Sequence, residues 1–351
     1  MNPRWLPLGL LGLGCSPPAP EPLPNLDCST HADAIRCTPT FARRSVPIDR
    51  GWSWKEDPSF LLENHTVPSV IPLPDGSVWM VTTPSRKRGT LSLFRSTDGR
   101  TWQSDGPVPT HLLPKTCGRM FLDATAAPTT DGRIRVLVEG WMSPTGQADP
   151  HATGPPKPGD DPGTRLCALV TDGKTWTPEG TGPLLPTDGS LWPSVPALSI
   201  DPLTEKARLF FADTYPGRDA ARRATSPDGI RFVPDARATV LPERHVDPDP
   251  VYVRDTARLR LYHTYDALDG SLGVAESDDG GKTFGNVKRL AGLSGQTCHT
   301  PPEQPSPPDL CFFDPAFLAS ADGTLYLYYS RFQTTADGRE VIGIGRATAT
   351  D

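Results

Sequence analysis

One unit recurs five times along this chain, and it constrains the fold more than any other feature. Each copy holds an apolar strand that opens on small, Pro or Asp residues, then a turn, then a second strand of high β propensity. The first two copies are Val67-Pro-Ser-Val-Ile-Pro-Leu-Pro-Asp-Gly-Ser-Val-Trp-Met-Val81 and Asp123-Ala-Thr-Ala-Ala to Ile134-Arg-Val-Leu-Val138. Then come Pro193-Ser-Val-Pro-Ala-Leu198 to Ala207-Arg-Leu-Phe-Phe211 and Asp247-Pro-Asp-Pro-Val-Tyr-Val253 to Leu259-Arg-Leu-Tyr262. The fifth is Asp314-Pro-Ala-Phe-Leu318 to Leu325-Tyr-Leu-Tyr-Tyr329. The openings lie roughly 55 to 70 residues apart, a period that marks an array of similar supersecondary units. The 42 prolines and 32 glycines exclude a mostly helical chain, because each proline removes a backbone donor and breaks a helix interior. The 8 Trp, 7 Tyr and 12 Phe supply enough aromatic bulk for a large core, so the chain reads as globular and all-β.

A third strand follows the second in four copies and ends in a polar turn. The turns are Ser96-Thr-Asp-Gly-Arg-Thr-Trp102, Thr171-Asp-Gly-Lys-Thr-Trp176, Ser226-Pro-Asp-Gly-Ile-Arg-Phe232 and Ser277-Asp-Asp-Gly-Gly-Lys-Thr-Phe284. The Asp accepts backbone N–H bonds, the Gly takes a positive φ, and the aromatic is free to bury itself between sheets. These turns resemble the Asp-boxes (BNR repeats) of sialidases and other β-propellers, where they sit on the rim as structural devices. The resemblance implies a five-bladed β-propeller of four-stranded blades, about 60 residues each. The fifth copy lacks such a turn, so the segment from Thr40 to Trp54 is expected to return as the missing outer strand. The alternative is six blades, with a degenerate blade near Ser45 to Asn64.

At the N-terminus, Arg4 precedes a short apolar run from Leu6 to Gly14 that ends at Cys15. The run is too short to span a bilayer but fits a secretory signal. Gly14-Cys15 behind Leu11 and Leu13 resembles a bacterial lipoprotein signal, which implies that 1–14 is removed and Cys15 is lipidated. The alternative is a plain secretory signal. A stiff Pro-rich tether over 15–40 would hold the domain of 41–351 off the membrane. The expected location is the cell envelope, at the outer membrane. Six cysteines remain for disulfides in an oxidising compartment. Loop lengths favour Cys28–Cys37, Cys298–Cys311 and Cys117–Cys167 among the alternative pairings. A net charge of −6 with no basic face argues against nucleic acid as a partner, and the chain is expected to be a monomer.

In a propeller the first strand of each blade lines the central channel. The residues that open those strands are His65 with Ser69, Asp123 with Thr125, Trp192 with Ser194, then His245, Asp247 and Asp249, and finally Asp314. Converging carboxylates repel one another, raise some pKa values and suit acid–base work. The repeat and the Asp-Pro openings resemble the five-bladed glycosidases, including glycoside hydrolase family 43. That resemblance implies a general base Asp, a second Asp that tunes it and a general acid Glu on consecutive inner strands. The matching positions by order carry Ser69, Asp123 and Ser194, so carboxylates concentrate instead at Asp247, Asp249 and Asp314, with Glu139 at a second-strand end. The expected catalytic set is therefore Asp123, Asp247 and Asp314.

Arg119, Arg244 and Arg331 have the chemistry to clamp a sugar carboxylate, as a sialidase would require. His65, Arg119, Trp192, His245, Asp249, Tyr265 and Arg331 form the expected binding surface, with Trp141, Tyr215, Tyr265 and Phe332 as stacking platforms for sugar rings. No cofactor is required. His245, Asp247 and Asp249 have ligand types that would take calcium if any cation bound. Two functions stay open on these residues: hydrolysis of glycosidic bonds, or non-catalytic binding of a surface glycan or protein partner.

Overall fold

The computed structural model describes residues 44–350 except 48–52, 86–88, 130, 143–162, 187–190, 202–205, 215–219, 236–238, 255, 257, 268, 294–309 and 336. The expectations for Cys15, the tether, Cys28, Cys37, Cys298 and Tyr215 lie outside those residues. Three short strands come first: β1 (Ser45–Val46), β2 (Trp54–Glu56) and β3 (Leu62–Glu63). Blade one is β4 (His65–Pro72), β5 (Val78–Pro84), β6 (Ser92–Ser96) and β7 (Gln103–Pro107). Blade two is β8 (Met120–Pro128), β9 (Ile134–Trp141), β10 (Thr164–Thr171) and β11 (Trp176–Glu179). Blade three is β12 (Pro193–Ile200), β13 (Ala207–Asp213), β14 (Ala220–Ser226) and β15 (Val233–Pro234). Blade four is β16 (Val246–Val253), β17 (Leu259–Asp266), β18 (Ser271–Ser277) and β19 (Gly285–Arg289).

Blade five is β20 (Leu310–Ala319), β21 (Leu325–Thr334) and β22 (Glu340–Ala349), completed by β2. The architecture is thus an all-β, five-bladed propeller, and the six-bladed alternative is excluded. The inner strands touch in sequence around the ring, with β20 closing onto β4. The expected closing segment divides between two blades. Trp54–Glu56 pairs antiparallel with β22 as the outer strand of blade five. Ser45–Val46 instead pairs parallel with the far end of β16, opposite Tyr252 and Val253, on the axial side of the innermost strand.

The core is divided into wedges, because each sheet buries both faces against a neighbour. Ile71, Trp79, Val136, Val138 and Leu169 fill the space between blades one and two. Leu137, Leu166, Leu209 and Phe211 do the same between two and three. Tyr262, Val274, Phe317 and Leu327 lie between four and five. The four polar turns work from the rim. In the third, Ser226 Oγ accepts the Gly229 N–H at 2.9 Å, while Asp228 Oδ1 accepts those of Ile230 (2.8 Å) and Arg231 (3.1 Å). The turn aromatics then reach neighbouring blades, as Trp176 stacks on Trp79 at 6.0 Å and Trp102 meets Tyr328 edge-on at 5.7 Å.

Those N–H bonds pull Asp228 down to about 2 and lower Asp98, Asp172 and Asp279 too, although burial opposes the shift at Asp279. A depressed carboxylate pKa stabilises the fold above about pH 4 and loses that effect as pH falls through the folded value. Asp228→Ala should therefore cost about 1 kcal/mol at pH 7 and progressively less toward pH 2, as read by urea unfolding across that range. An undiminished cost at pH 2 would show that the carboxylate is not the stabilising group.

Within blade two, a disulfide joins Cys117 to Cys167 with their Cα atoms 5.9 Å apart, as the loop lengths favoured. It holds the segment before β8 so tightly on β9 that a Cβ at Gly140 would sit 1.8 Å from the Cys117 carbonyl oxygen. Only glycine fits beside Glu139 there. Cys311 is also disulfide-bonded, and its expected partner Cys298 lies outside the described residues.

Candidate active site

Every inner strand carries a β-bulge at the same depth, and the bulges build the site. In β4, β12, β16 and β20 two residues oppose one on the next strand, with the register shift falling between Thr66 and Ser69, Ser194 and Ala197, Val246 and Asp249, and Phe313 and Ala316. In each case the first extra residue precedes a proline and has a positive φ: Val67 at 51°, Val195 at 44°, Asp247 at 53° and Asp314 at 52°. A left-handed conformation at a β-branched or Asp residue before proline is costly, and it persists where surrounding structure enforces it. In β8 the extra residue is Asp123, between Leu122 and Ala124. A bulge re-aims one side chain out of the alternating pleat. The bulge positions carry Val67, Asp123, Val195, Asp247 and Asp314, which corrects the sequence alignment of Ser69 and Ser194 with them.

Three aspartates thus converge, and a glutamate joins them. Glu139, opposite Leu122 on β9, is fully buried. Its carboxylate accepts hydrogen bonds from Ser194 Oγ (2.7 Å), the Val195 N–H (3.2 Å) and Trp141 Nε1, and it shares a further hydrogen bond with Asp123. Asp123 also accepts the Thr83 hydroxyl at 3.1 Å. Across the axis Asp247 and Asp314 are hydrogen-bonded to each other. Thr264 Oγ1 donates to Asp247 at 2.7 Å and accepts the Asp314 N–H at 3.3 Å. Ser330 hydrogen-bonds Asp314 and accepts the Val67 N–H at 2.7 Å, joining blade five to blade one.

The four carboxyls form two dyads that feel each other's charge. In each, a partly exposed acid (Asp123 or Asp314) is backed by a more buried one (Glu139 or Asp247). Desolvation pushes all four up. Repulsion from Asp123 adds to the rise at Glu139, and repulsion from Asp247 and Asp123 adds to that at Asp314. Asp247, supported by Thr264, reaches about 6, while Glu139 and Asp314 rise well above the ordinary carboxylate range. Two close carboxyls share one proton more readily than they both ionise. Each dyad therefore holds one proton in preference to two charges, with Glu139 and Asp314 the acids raised furthest.

Several other expected residues are placed differently. Asp249 latches blades, accepting the Phe317 N–H at 2.7 Å and pairing with Arg44 at 2.6 Å, so it is not free to meet a ligand. Thr125 plays the same part between blades two and three by accepting the Leu198 N–H at 3.1 Å. Arg331 is consumed by ring closure: it pairs with Glu56 at 3.1 Å and donates to the Pro58 carbonyl at 2.8 Å. Both assignments to the binding surface are corrected on these grounds. With Asp249 held by Arg44 and Asp247 by Thr264, the calcium set of His245, Asp247 and Asp249 does not assemble. Among the described residues no group of three or more His, Cys, Asp or Glu is arranged for a metal ion.

His65 is half-buried, with Nδ1 2.8 Å from Thr82 Oγ1. His245 packs between Tyr265 (4.7 Å) and His263 (5.0 Å), and Tyr265 is covered by the Arg289 guanidinium. Burial pushes His263 down to about 3 and lowers His245 as well. Trp192 is partly exposed just before β12, its N–H held by Asp213 at 3.1 Å. Arg119 is exposed just before β8.

Thr264 is the junction missed by sequence reasoning, since a threonine in a β strand carries no signal of its own. Thr264→Val keeps the shape but removes both bonds to the dyad. It should push the Asp247 carboxyl pKa further up, because the Thr264 hydrogen bond holds it down, while the thermal midpoint moves by only a few degrees. An unchanged Asp247 titration by NMR in a folded variant would deny it a positioning role.

Comparison with known proteins gives a likeness in fold. No family model and no curated protein matches the sequence. Among solved structures, a β-xylosidase superposes with a TM-score of 0.58 at 11% identity, over 83% of this chain and 94% of that one. A family 43 β-xylosidase/α-arabinofuranosidase from a compost metagenome, solved with xylotriose in a calcium-free form, gives 0.53 at 14% identity, over 80% and 96%. A protein of unknown function from Dyadobacter fermentans gives 0.51 at 16% identity, over 87% and 98%.

Proposed function

We propose that this chain is a glycoside hydrolase. The observation that carries the reading is the pair of hydrogen-bonded carboxyl dyads, three of whose four acids sit on bulges of three blades. Its likeness to family 43 folds supports the same chemistry class. Asp247 and Asp314 are hydrogen-bonded, too close to flank a glycosidic bond, which needs carboxyl groups about 5 to 9.5 Å apart. Labour is therefore divided between the dyads. Asp314, protonated and partly exposed, gives its proton to the leaving-group oxygen as the glycosidic bond breaks. Asp123, ionised and reachable by water, takes a proton from the water that attacks the anomeric carbon. Glu139 and Asp247 position and tune those two acids without touching the sugar.

A panel of chromogenic glycosides tests the reading. Turnover that disappears in Asp314→Ala and Asp123→Ala supports it. No turnover on any sugar, together with binding to a glycan array, would replace it with the non-catalytic module.

The leader favours export and acylation at Cys15, with no charged residue between Leu6 and Gly14. Among the described residues no helix is long and apolar enough to cross a membrane. Mass spectrometry of the mature protein should find an acylated Cys15; an unmodified start further along the chain would refute the anchor.

A further inference from the structure

The geometry points to a leaving-group subsite along blade five, built for an aglycone with an apolar face and no negative charge. The inference rests on the glycosidase reading and extends it to substrate class. A cavity of about 500 Å³ opens beside Asp247 and Asp314, and its remaining described walls come from one blade alone. They are the start of β20, the end of β21 and the start of β22. Asp123 and Glu139 do not line it. A general acid touches the oxygen that departs, so the group extending from Asp314 into this cavity is the leaving group.

The wall chemistry selects what can sit there. Phe313 and Phe332 meet edge to face at 5.5 Å, and Val341 and Ile342 continue the apolar surface. An aromatic or sugar ring gains from stacking on such a face. The only ionisable groups among the described lining residues, apart from a disulfide-bonded cysteine, are Asp247, Asp314 and Glu340. Among the described lining residues there is no cation to compensate an anion, and Arg331, one residue before Phe332, is tied to Glu56 and the Pro58 carbonyl. A carboxylate or sulfate brought to this wall would be desolvated against like charge. A neutral or cationic aglycone meets no such penalty.

The test uses one sugar carried on four aglycones: methyl, 4-nitrophenyl, 4-carboxyphenyl and 4-(aminomethyl)phenyl. Each variant is compared with wild type on the same substrate, which removes differences in leaving-group ability. Phe332→Ala should lower kcat/KM about 2- to 12-fold on the aryl substrates, chiefly through KM, and change the methyl glycoside by less than about 2-fold. Phe332→Leu should fall between. Glu340→Gln should shift the ratio of carboxyphenyl to aminomethylphenyl turnover toward the anion by about 3-fold or more.

An equal loss on all four substrates in folded Phe332→Ala, or a wild-type preference for the anionic aglycone, overturns the subsite. If the wild type hydrolyses none of them, the glycosidase reading fails by itself. The subsite is then decided by tryptophan-fluorescence binding of the 4-nitrophenyl thioglycoside. Weaker binding in Phe332→Ala supports it, and unchanged or absent binding refutes it.

Discussion

Asp314→Asn is expected to lower kcat on an alkyl glycoside by about 10²- to 10⁴-fold with KM nearly unchanged, because it removes the proton donor and keeps the shape. The loss should depend on the leaving group. A 2,4-dinitrophenyl glycoside departs without protonation, so Asp314→Asn should retain most of its turnover on that substrate. Asp123→Asn removes the base that activates water and should be equally damaging on both substrates. Kinetics of the two variants on the two substrates therefore assign the roles. If Asp123→Asn were the variant rescued by dinitrophenolate, the acid and base would have to be exchanged between the dyads. If neither variant lost activity, the carboxyl quartet would not be catalytic.

The second large effect is on stability. Asp247 has its pKa raised to about 6 by desolvation, against about 4 in the unfolded chain. A raised carboxyl pKa favours the folded state fully below the unfolded value, and that contribution is lost as pH rises through the folded value. For Asp247 the window is about pH 4 to 6, and two units correspond to at most about 3 kcal/mol. Asp247→Asn should thus be more stable than wild type at pH 7, by roughly 1–3 kcal/mol, with no advantage at pH 4.

Glu139 and Asp314 extend the same trend to higher pH. The turn aspartates act in the opposite sense but only below about pH 4, so the two sets do not overlap. Thermal denaturation should place the stability maximum near pH 4–5, and Asp247→Asn should flatten the alkaline side. A variant less stable than wild type at pH 7 would mean that the buried charge is compensated, and the argument for a strained acid cluster would fall.

The blades were legible because they depend on local chemistry. Alternating apolar strands and Ser-x-Asp-Gly turns act within about ten residues, a range over which a β strand announces its period. Ala207–Asp213 and Leu325–Thr334 fall where that period puts them, and the ring closes through Trp54–Glu56 near the expected segment. Even Glu139 left a trace, as the one acid in the otherwise largely apolar strand Ile134–Trp141.

The site was less legible because its geometry is made by bulges and by contacts between blades. In Asp247-Pro-Asp-Pro250 the sequence gives both acids equal claim to the channel. One joins a dyad with Asp314 and the other accepts the Phe317 N–H, because the bulge takes Asp247 out of the strand's alternation. Val67 and Val195, not Ser69 and Ser194, hold the bulge positions, and the proline that follows each is their one local mark. Arg331 has the chemistry of a carboxylate clamp in the sequence, but ring closure spends it on Glu56.

The repeats alone determined the blade units and set Asp123, Asp247, Asp249 and Asp314 at strand openings, since hydrophobic period and turn chemistry are properties of neighbouring residues. Tertiary structure alone decided which acids pair, which are desolvated and which hold protons. A pKa is set by groups that folding brings within a few ångströms of one another from blades far apart in the chain.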